Sequence, residues 1–197
     1  MDALKLTKLH YTASNGTDLT VGLTPWSKFG HEDSDLPAGQ VPFNANIPSE
    51  EIFTTPDKFG TNGIVYASRP LLLGGKSIEN FGFRFEKGKV VEVLADEGKE
   101  MLEALINTDE NAGYLGEAAL VEYHSPISMS GLVYYTTLID ENASCHLALG
   151  RGFGQRPEFN DSTIHVDFMI GTPDLCIVGT TEDGREVDIF RDGDFAL

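Results

Sequence analysis

Four short stretches carry the residues best able to do chemistry. In Ile164-His165-Val166-Asp167-Phe168, polar and apolar residues alternate. On a strand, that period puts the imidazole and the carboxylate on one face, about 7 Å apart, where both can reach one cation. Asp140-Glu141-Asn142-Ala143-Ser144-Cys145-His146 packs two acids, an amide, a thiol and an imidazole behind a strongly apolar run. Glu50-Glu51 follows Pro48-Ser49, and Glu117 stands between Gly116 and Ala118-Ala119. A carboxylate among small apolar residues is costly unless paired, protonated or bound to a metal, which singles out Glu117. Together these positions supply two His and at least three carboxylates. Such a mixed N/O set suits Zn²⁺, Co²⁺ or Mn²⁺ and is too rich in His for Ca²⁺ or Mg²⁺.

Each stretch also has an ordinary structural reading. A His-x-Asp pair is common on an exposed strand face. Asn142 reads as an N-cap with acids near the helix dipole, and Pro-Ser-Glu-Glu as a first helical turn. Cys145 beside His146 reads as a small buried apolar residue, because sequence neighbours rarely meet as nucleophile and base. The residue types alone therefore leave function open.

The elements that must position these groups read mostly as strands and turns. Leu4, Leu6 and Leu9–Tyr11 start a strand, Asn15-Gly16 turns it, and Leu19–Leu23 returns. Residues 24–48, with Pro25, Pro37, Pro42 and Pro48, read as a long ordered loop or a set of short strands. Strand signals resume at 63–68. Phe81, Phe83 and Phe85 alternate, Glu86-Lys87-Gly88 turns and 89–94 returns as a second hairpin. In 97–107 the stripe Met101, Leu102, Leu105, Ile106 predicts a helix. The apolar run 132–139 predicts a buried strand. Asn142 predicts a short helix through Leu149 stopped by Gly150, and 165–170 another strand. Asp183-Gly184 and Asp192-Gly193 mark two late hairpin-like turns. The reading is one α+β domain over residues 1–197, a mainly antiparallel sheet or barrel-like structure with a few short helices.

The 197 residues carry 14 Lys+Arg against 31 Asp+Glu, a net charge of −17. That field argues against nucleic acid and anionic membrane as partners and favours cations. It also serves plain solubility. Two cysteines make no disulfide scaffold. The start Met1-Asp2-Ala3-Leu4-Lys5 lacks a signal peptide's basic and apolar regions, and no apolar run has a membrane span's length. These features predict a cytoplasmic protein.

Longer strings carry a resemblance. Asn46-Ile47-Pro48-Ser49-Glu50-Glu51-Ile52-Phe53-Thr54-Thr55-Pro56 resembles the NxPxEExFTxP segment of the thermophilic metalloaminopeptidase family. Residues 113–119 (GYLGEAA) are similar to its GxxLGExAL element, 138–150 (LIDENASCHLALG) to LxDENAxxHxALG, and 160–171 (NDSTIHVDFMIG) to NxSxxHxDFMIG. Gly16-Thr17-Asp18-Leu19 matches as well. The four long motifs occur in the family's order, across nearly the whole chain.

This resemblance implies a cytoplasmic, homodimeric exopeptidase that releases N-terminal residues from peptides with two divalent ions. It implies that Glu51, Glu117 and His146 hold one ion, and that Glu117 bridges to a second held by His165 and Asp167. Glu50 and Glu141, in the same motifs, become candidates for proton transfer or for supporting the ligands. The family's N-terminal domain is expected to be absent from this stretch, leaving 1–197 as the metal-binding catalytic domain. Where the family carries a Tyr after HxALG, this chain has Phe153, in a segment shorter than the family's. A Phe cannot donate a hydrogen bond to an oxyanion. The alternative is therefore a catalytically weak or inactive truncated metal-binding or dimerisation domain. A third reading is an acidic β-rich binding domain with no metal.

Overall fold

The structure, a computed structural model, describes residues 1–30, 47–154 and 156–197. Most of the proline-rich stretch expected to be loop, and Asn46 of the first motif, lie outside the described residues. The first hairpin forms as expected from β1 (Leu6–Thr12) and β2 (Asp18–Gly22), with Leu9 opposite Val21 and Tyr11 opposite Leu19. All four side chains are buried. Next come β3 (Ile52–Thr54), β4 (Asn62–Tyr66), β5 (Leu71–Leu73) and β6 (Lys76–Ile78). The alternating Phe81, Phe83 and Phe85 lie on β7 (Phe81–Glu86), which pairs with β8 (Lys89–Ala95) across Lys87-Gly88. Both turn residues have positive φ (49° and 84°), the requirement that Gly meets at no steric cost. The predicted helix is α1 (Lys99–Ile106), with Leu102 and Leu105 buried.

The second half contributes β9 (Leu115–Leu120), β10 (His146–Gly150), β11 (His165–Met169), β12 (Cys176–Thr181), β13 (Glu186–Arg191) and β14 (Asp194–Phe195). Eight strands form one antiparallel sheet, in the order β14-β13-β12-β1-β2-β4-β7-β8. Four form a second, β11-β10-β9-β3, and β5-β6 is a small ribbon. Of sheet or barrel, the chain takes open sheets: β14 and β8 end the larger one unpaired to each other. Because side chains alternate along a strand, Ala118, Leu120, Leu147 and Phe168 share one face of the four-stranded sheet. That face joins the main core. Phe168 meets Phe83 and Phe81 with ring centroids 5.2 and 6.2 Å apart.

Three expectations fail, and for physical reasons. The run 132–139 is not a buried strand. It follows one single-turn helix, α2 (Pro126–Met129), and ends within another, α3 (Thr137–Asp140), and Leu132, Val133, Tyr134, Tyr135 and Leu138 are exposed. Gly131 and Tyr135 have positive φ, and the Asp140 carboxylate accepts from Tyr134 N and Thr136 N, which folds the segment into a turn. The helix expected over 142–149 is only a 3₁₀ turn, Glu141–Ala143, followed by β10. Every residue of β10 is buried, so there is no polar stripe for a surface helix to show. Glu50-Glu51 likewise opens no helix and leads directly into β3.

Candidate metal centre

The second sheet's other face gathers the chemistry. Glu117 on β9 stands opposite Ala148 on β10, and Ala148 opposite Asp167 on β11. Two residues along, Ala119, His146 and Met169 form the next row, while His165 pairs with Gly150. Period two then puts Glu117, His146, Ala148, His165 and Asp167 on one face. Phe53 of β3 pairs with Ala119, so Glu51, two residues earlier, approaches the same face. The small side chain of Ala148 leaves open the space between the two carboxylates flanking it.

All five sequence-predicted ligands meet here. Oxygen and nitrogen atoms of Glu51, Glu117 and His146 lie within 4.8 Å of one another, as do those of Glu117, His165 and Asp167. Glu117 belongs to both groups. Glu51, Glu117, His146 and Asp167 are buried, whereas His165 stands at the mouth. His146 Nε2 is 3.1 Å from Glu51 Oε2. His165 Nε2 is 3.1 Å from Glu117 Oε2 and 3.3 Å from Asp167 Oδ1.

Both imidazoles are oriented from behind. His146 Nδ1 lies 3.3 Å from the Ser144 carbonyl and His165 Nδ1 2.7 Å from the Arg151 carbonyl. A carbonyl can only accept, so each Nδ1 carries hydrogen and each Nε2 faces the carboxylates, the arrangement that suits a metal-ligating His.

The electrostatics are those of a cluster short of cations. Burial pulls the His146 pKa down, but its contact with Glu51 and the charges of Glu117 and Asp167 outweigh this and raise it to about 9. At His165 burial acts the same way, and its close contacts with Asp167 and Glu117 carry it to about 11. Burial pushes Glu117 up, and His165 offsets this only in part. Burial also pushes Asp167 up, yet the close contact with His165 and the charge of His146 prevail and hold it below the usual range. Among the described residues Glu51 Oε2 and Asp167 Oδ1 are buried with no hydrogen-bond partner, despite their close approach to the imidazoles. Buried carboxylate oxygens without donors are expensive, and a divalent cation among them removes the cost. The donor set thus fits one or two transition-metal ions.

The remaining predicted residues lie around this cluster. The Glu50 side chain is exposed, and its N–H donates to Asn142 Oδ1 at 2.6 Å. Glu141 is half-buried in the 3₁₀ turn. Neither belongs to the two ligand groups. Cys145 points away, hydrogen-bonded through Sγ to Val121 N and O, and burial pushes its thiol up to about 12. It is the inert apolar residue expected. Phe153 sits at the mouth, its ring 5.4 Å from His165 and 4.7 Å from Phe53. Sequence reasoning missed the Ser144 and Arg151 carbonyls, since main-chain acceptors have no residue signature. It took Asn142 for a cap, whereas its fully buried amide ties the Glu50-Glu51 segment to the turn before His146.

Known proteins are similar to this chain over nearly its whole length. The thermophilic metalloprotease (M29) family matches residues 1–195. Aminopeptidase AmpS of Bacillus subtilis (strain 168) is 45% identical over 203 residues, covering 96% of this chain and 49% of that protein. Aminopeptidase T of Thermus aquaticus is 42% identical over 201 residues, with 96% and 49% covered. Among solved structures, wild-type AmpT from Thermus thermophilus superposes with a TM-score of 0.92 at 40% identity, over 100% of this chain and 51% of that one. The chain spans about half the length of the curated relatives it matches.

Proposed function

Because the chain belongs to the thermophilic metalloprotease (M29) family, we propose that it is the metal-binding catalytic domain, over residues 1–197, of an aminopeptidase with a dinuclear centre. Glu51, Glu117 and His146 would hold one divalent ion, and Glu117, His165 and Asp167 a second, each Zn, Co or Mn. The observation that carries this reading is the sharing of Glu117 between two ligand groups whose outer carboxylates, Glu51 and Asp167, keep buried oxygens without hydrogen-bond donors among the described residues. Bound there, the ions supply Lewis acidity for activating water and polarising a scissile carbonyl. The protein's part is to hold two imidazoles by their Nδ1–H groups, to keep the carboxylates buried, and to present negative charge to a substrate's free α-ammonium group. Glu50 and Glu141, in the same motifs as the ligands, are the candidates for proton transfer or for supporting the ligands. Peptide substrates follow from the names of the relatives, and a cytoplasmic homodimer is part of the same proposal.

The test is elemental analysis after chelator-free purification, together with hydrolysis of amino-acyl anilides and of their N-acetylated forms. The expected result is up to two ions per chain and release from the free-amine substrates only. A protein without transition metal after incubation with Zn²⁺, Co²⁺ or Mn²⁺ would defeat the assignment, as would equal cleavage of acetylated substrates.

A further inference from the structure

Behind His165 the chain makes an unusually close backbone crossing. The pairing of β9 with β10 shifts between Ala148 and Leu149: Ala148 faces Glu117 and Leu149 faces Leu115, so Gly116 is the extra residue of a bulge. A Cβ on Gly116 would lie 2.1 Å from the Arg151 carbonyl oxygen, 2.3 Å from its carbon and 2.6 Å from the Gly150 oxygen. No side chain fits there. From the far side, buried Asn160 grips the same turn. Its Nδ2 donates to the Gly150 carbonyl at 2.6 Å and to the Asn111 carbonyl at 2.9 Å, and its main-chain carbonyl accepts from Gly152 N at 2.9 Å. Arg151 N in turn donates to the Ile164 carbonyl at 2.7 Å. The Arg151 carbonyl is thus fixed on both sides, and it is the acceptor for His165 Nδ1.

We propose that Gly116 and Asn160 are positioning residues for the metal centre: they clamp the turn 150–152 so that the Arg151 carbonyl holds the Nδ1–H of His165 and aims its Nε2 at Glu117 and Asp167. This rests on the dinuclear reading above. Gly116 precedes the shared ligand directly, so one bulge seats Glu117 and clears the path for the acceptor that orients His165. Losing a ligand's outer hydrogen-bond partner typically weakens metal binding by about 10–100-fold.

The test compares wild type with Gly116→Ala, Asn160→Ala and, as control, Gly113→Ala, whose added carbon would come no nearer than 3.4 Å to any neighbour. One readout needs no metal. In metal-free wild type, nitrogen-15 NMR should show a His165 Nδ1–H that exchanges slowly with solvent. It should exchange fast in Gly116→Ala and Asn160→Ala and stay protected in Gly113→Ala. The other readout is Co²⁺ calorimetry, where one of the two sites should weaken by about 10–100-fold in both variants while the other stays within a few-fold. An unprotected Nδ1–H in wild type overturns the proposal whatever the variants do. Two equally tight ions in both variants overturn it also, and leave the dinuclear reading intact. If wild type protects the proton but binds fewer than two ions, the dinuclear reading fails while the clamp on His165 stands.

Discussion

Glu117 carries the largest share of the proposed chemistry, because among the described residues it alone belongs to both ligand groups. A bridging carboxylate offsets the repulsion between two cations about 3.5–4 Å apart, whereas a terminal ligand serves one ion only. Glu117→Gln keeps the shape and removes the charge. It should abolish simultaneous occupancy in a metal titration, while Asp167→Asn should leave the Glu51 and His146 ion in place. In chelated protein Glu117→Gln should be neutral or stabilising, since burial already opposes the charge there. Two ions bound by Glu117→Gln with unchanged affinity would remove the bridge. The imidazoles add a pH dependence. The metal-free His146 pKa is raised from 6.5 to about 9, so its stabilising charge is complete below about pH 6.5 and lost as pH rises through 9. His165 extends that loss to about pH 11. Chelated protein should therefore melt several degrees lower at pH 10 than at pH 7, and metal-loaded protein should not. Across the same window each ion must displace an imidazole proton, so affinity should rise by up to about tenfold per pH unit. Calorimetry in buffers of different ionisation enthalpy counts those protons, and no release at pH 7 would contradict the raised pKa values.

At the scale of elements, the site is a property of one sheet face, and the two faces should fail differently. Ala148 lies between Glu117 and Asp167 across three strands, whereas Leu147 beside it packs into the core. Ala148→Leu should fill the space between the carboxylates and reduce metal binding at least tenfold, with a stability cost of about 1–3 kcal/mol. Leu147→Ala should cost about 2–5 kcal/mol in denaturant melts of chelated protein and leave metal affinity nearly unchanged. The opposite assignment of effects would mean the strand faces are misplaced. This alternation was partly legible in the sequence: His165-Val166-Asp167 revealed its face by period two, and the Asn-Gly and Lys-Gly turns announced their hairpins. The convergence of Glu51, Glu117 and His146 was not, because strand register leaves no local mark; only the resemblance of the motifs assembled that set. Leu147-Ala148-Leu149 carries no periodicity, since a strand buried on both faces resembles a buried helix. The run 132–139 misled for another reason: apolar residues go inside only when a chain's own fold supplies an inside.

For the molecule as a whole, that exposed run is the feature its fold leaves unexplained. Residues 125–139 contain no Asp, Glu, Lys, Arg or His, in a protein of net charge −17. Met129, Leu132, Val133, Tyr134, Tyr135 and Leu138 are all exposed along it. Scattered exposed apolar residues are ordinary, but a contiguous set on a turn clipped by Asp140 is the patch to test as a contact surface. Two copies of so acidic a chain repel each other over most of their surface, and a neutral apolar patch is where they can approach at least cost. The homodimer proposed above should therefore form through this segment. Such contacts bury roughly 800 Å² per partner, and large apolar and aromatic side chains carry most of their energy. Sedimentation equilibrium should give a dimer that tightens as salt rises from 20 to about 500 mM, because screening weakens the repulsion and leaves apolar burial intact. Leu132→Asp with Tyr135→Asp should yield a monomer without lowering the melting temperature of the fold, since both side chains already face solvent. A wild-type monomer at high salt, or a dimer that survives both substitutions, would move the contact elsewhere.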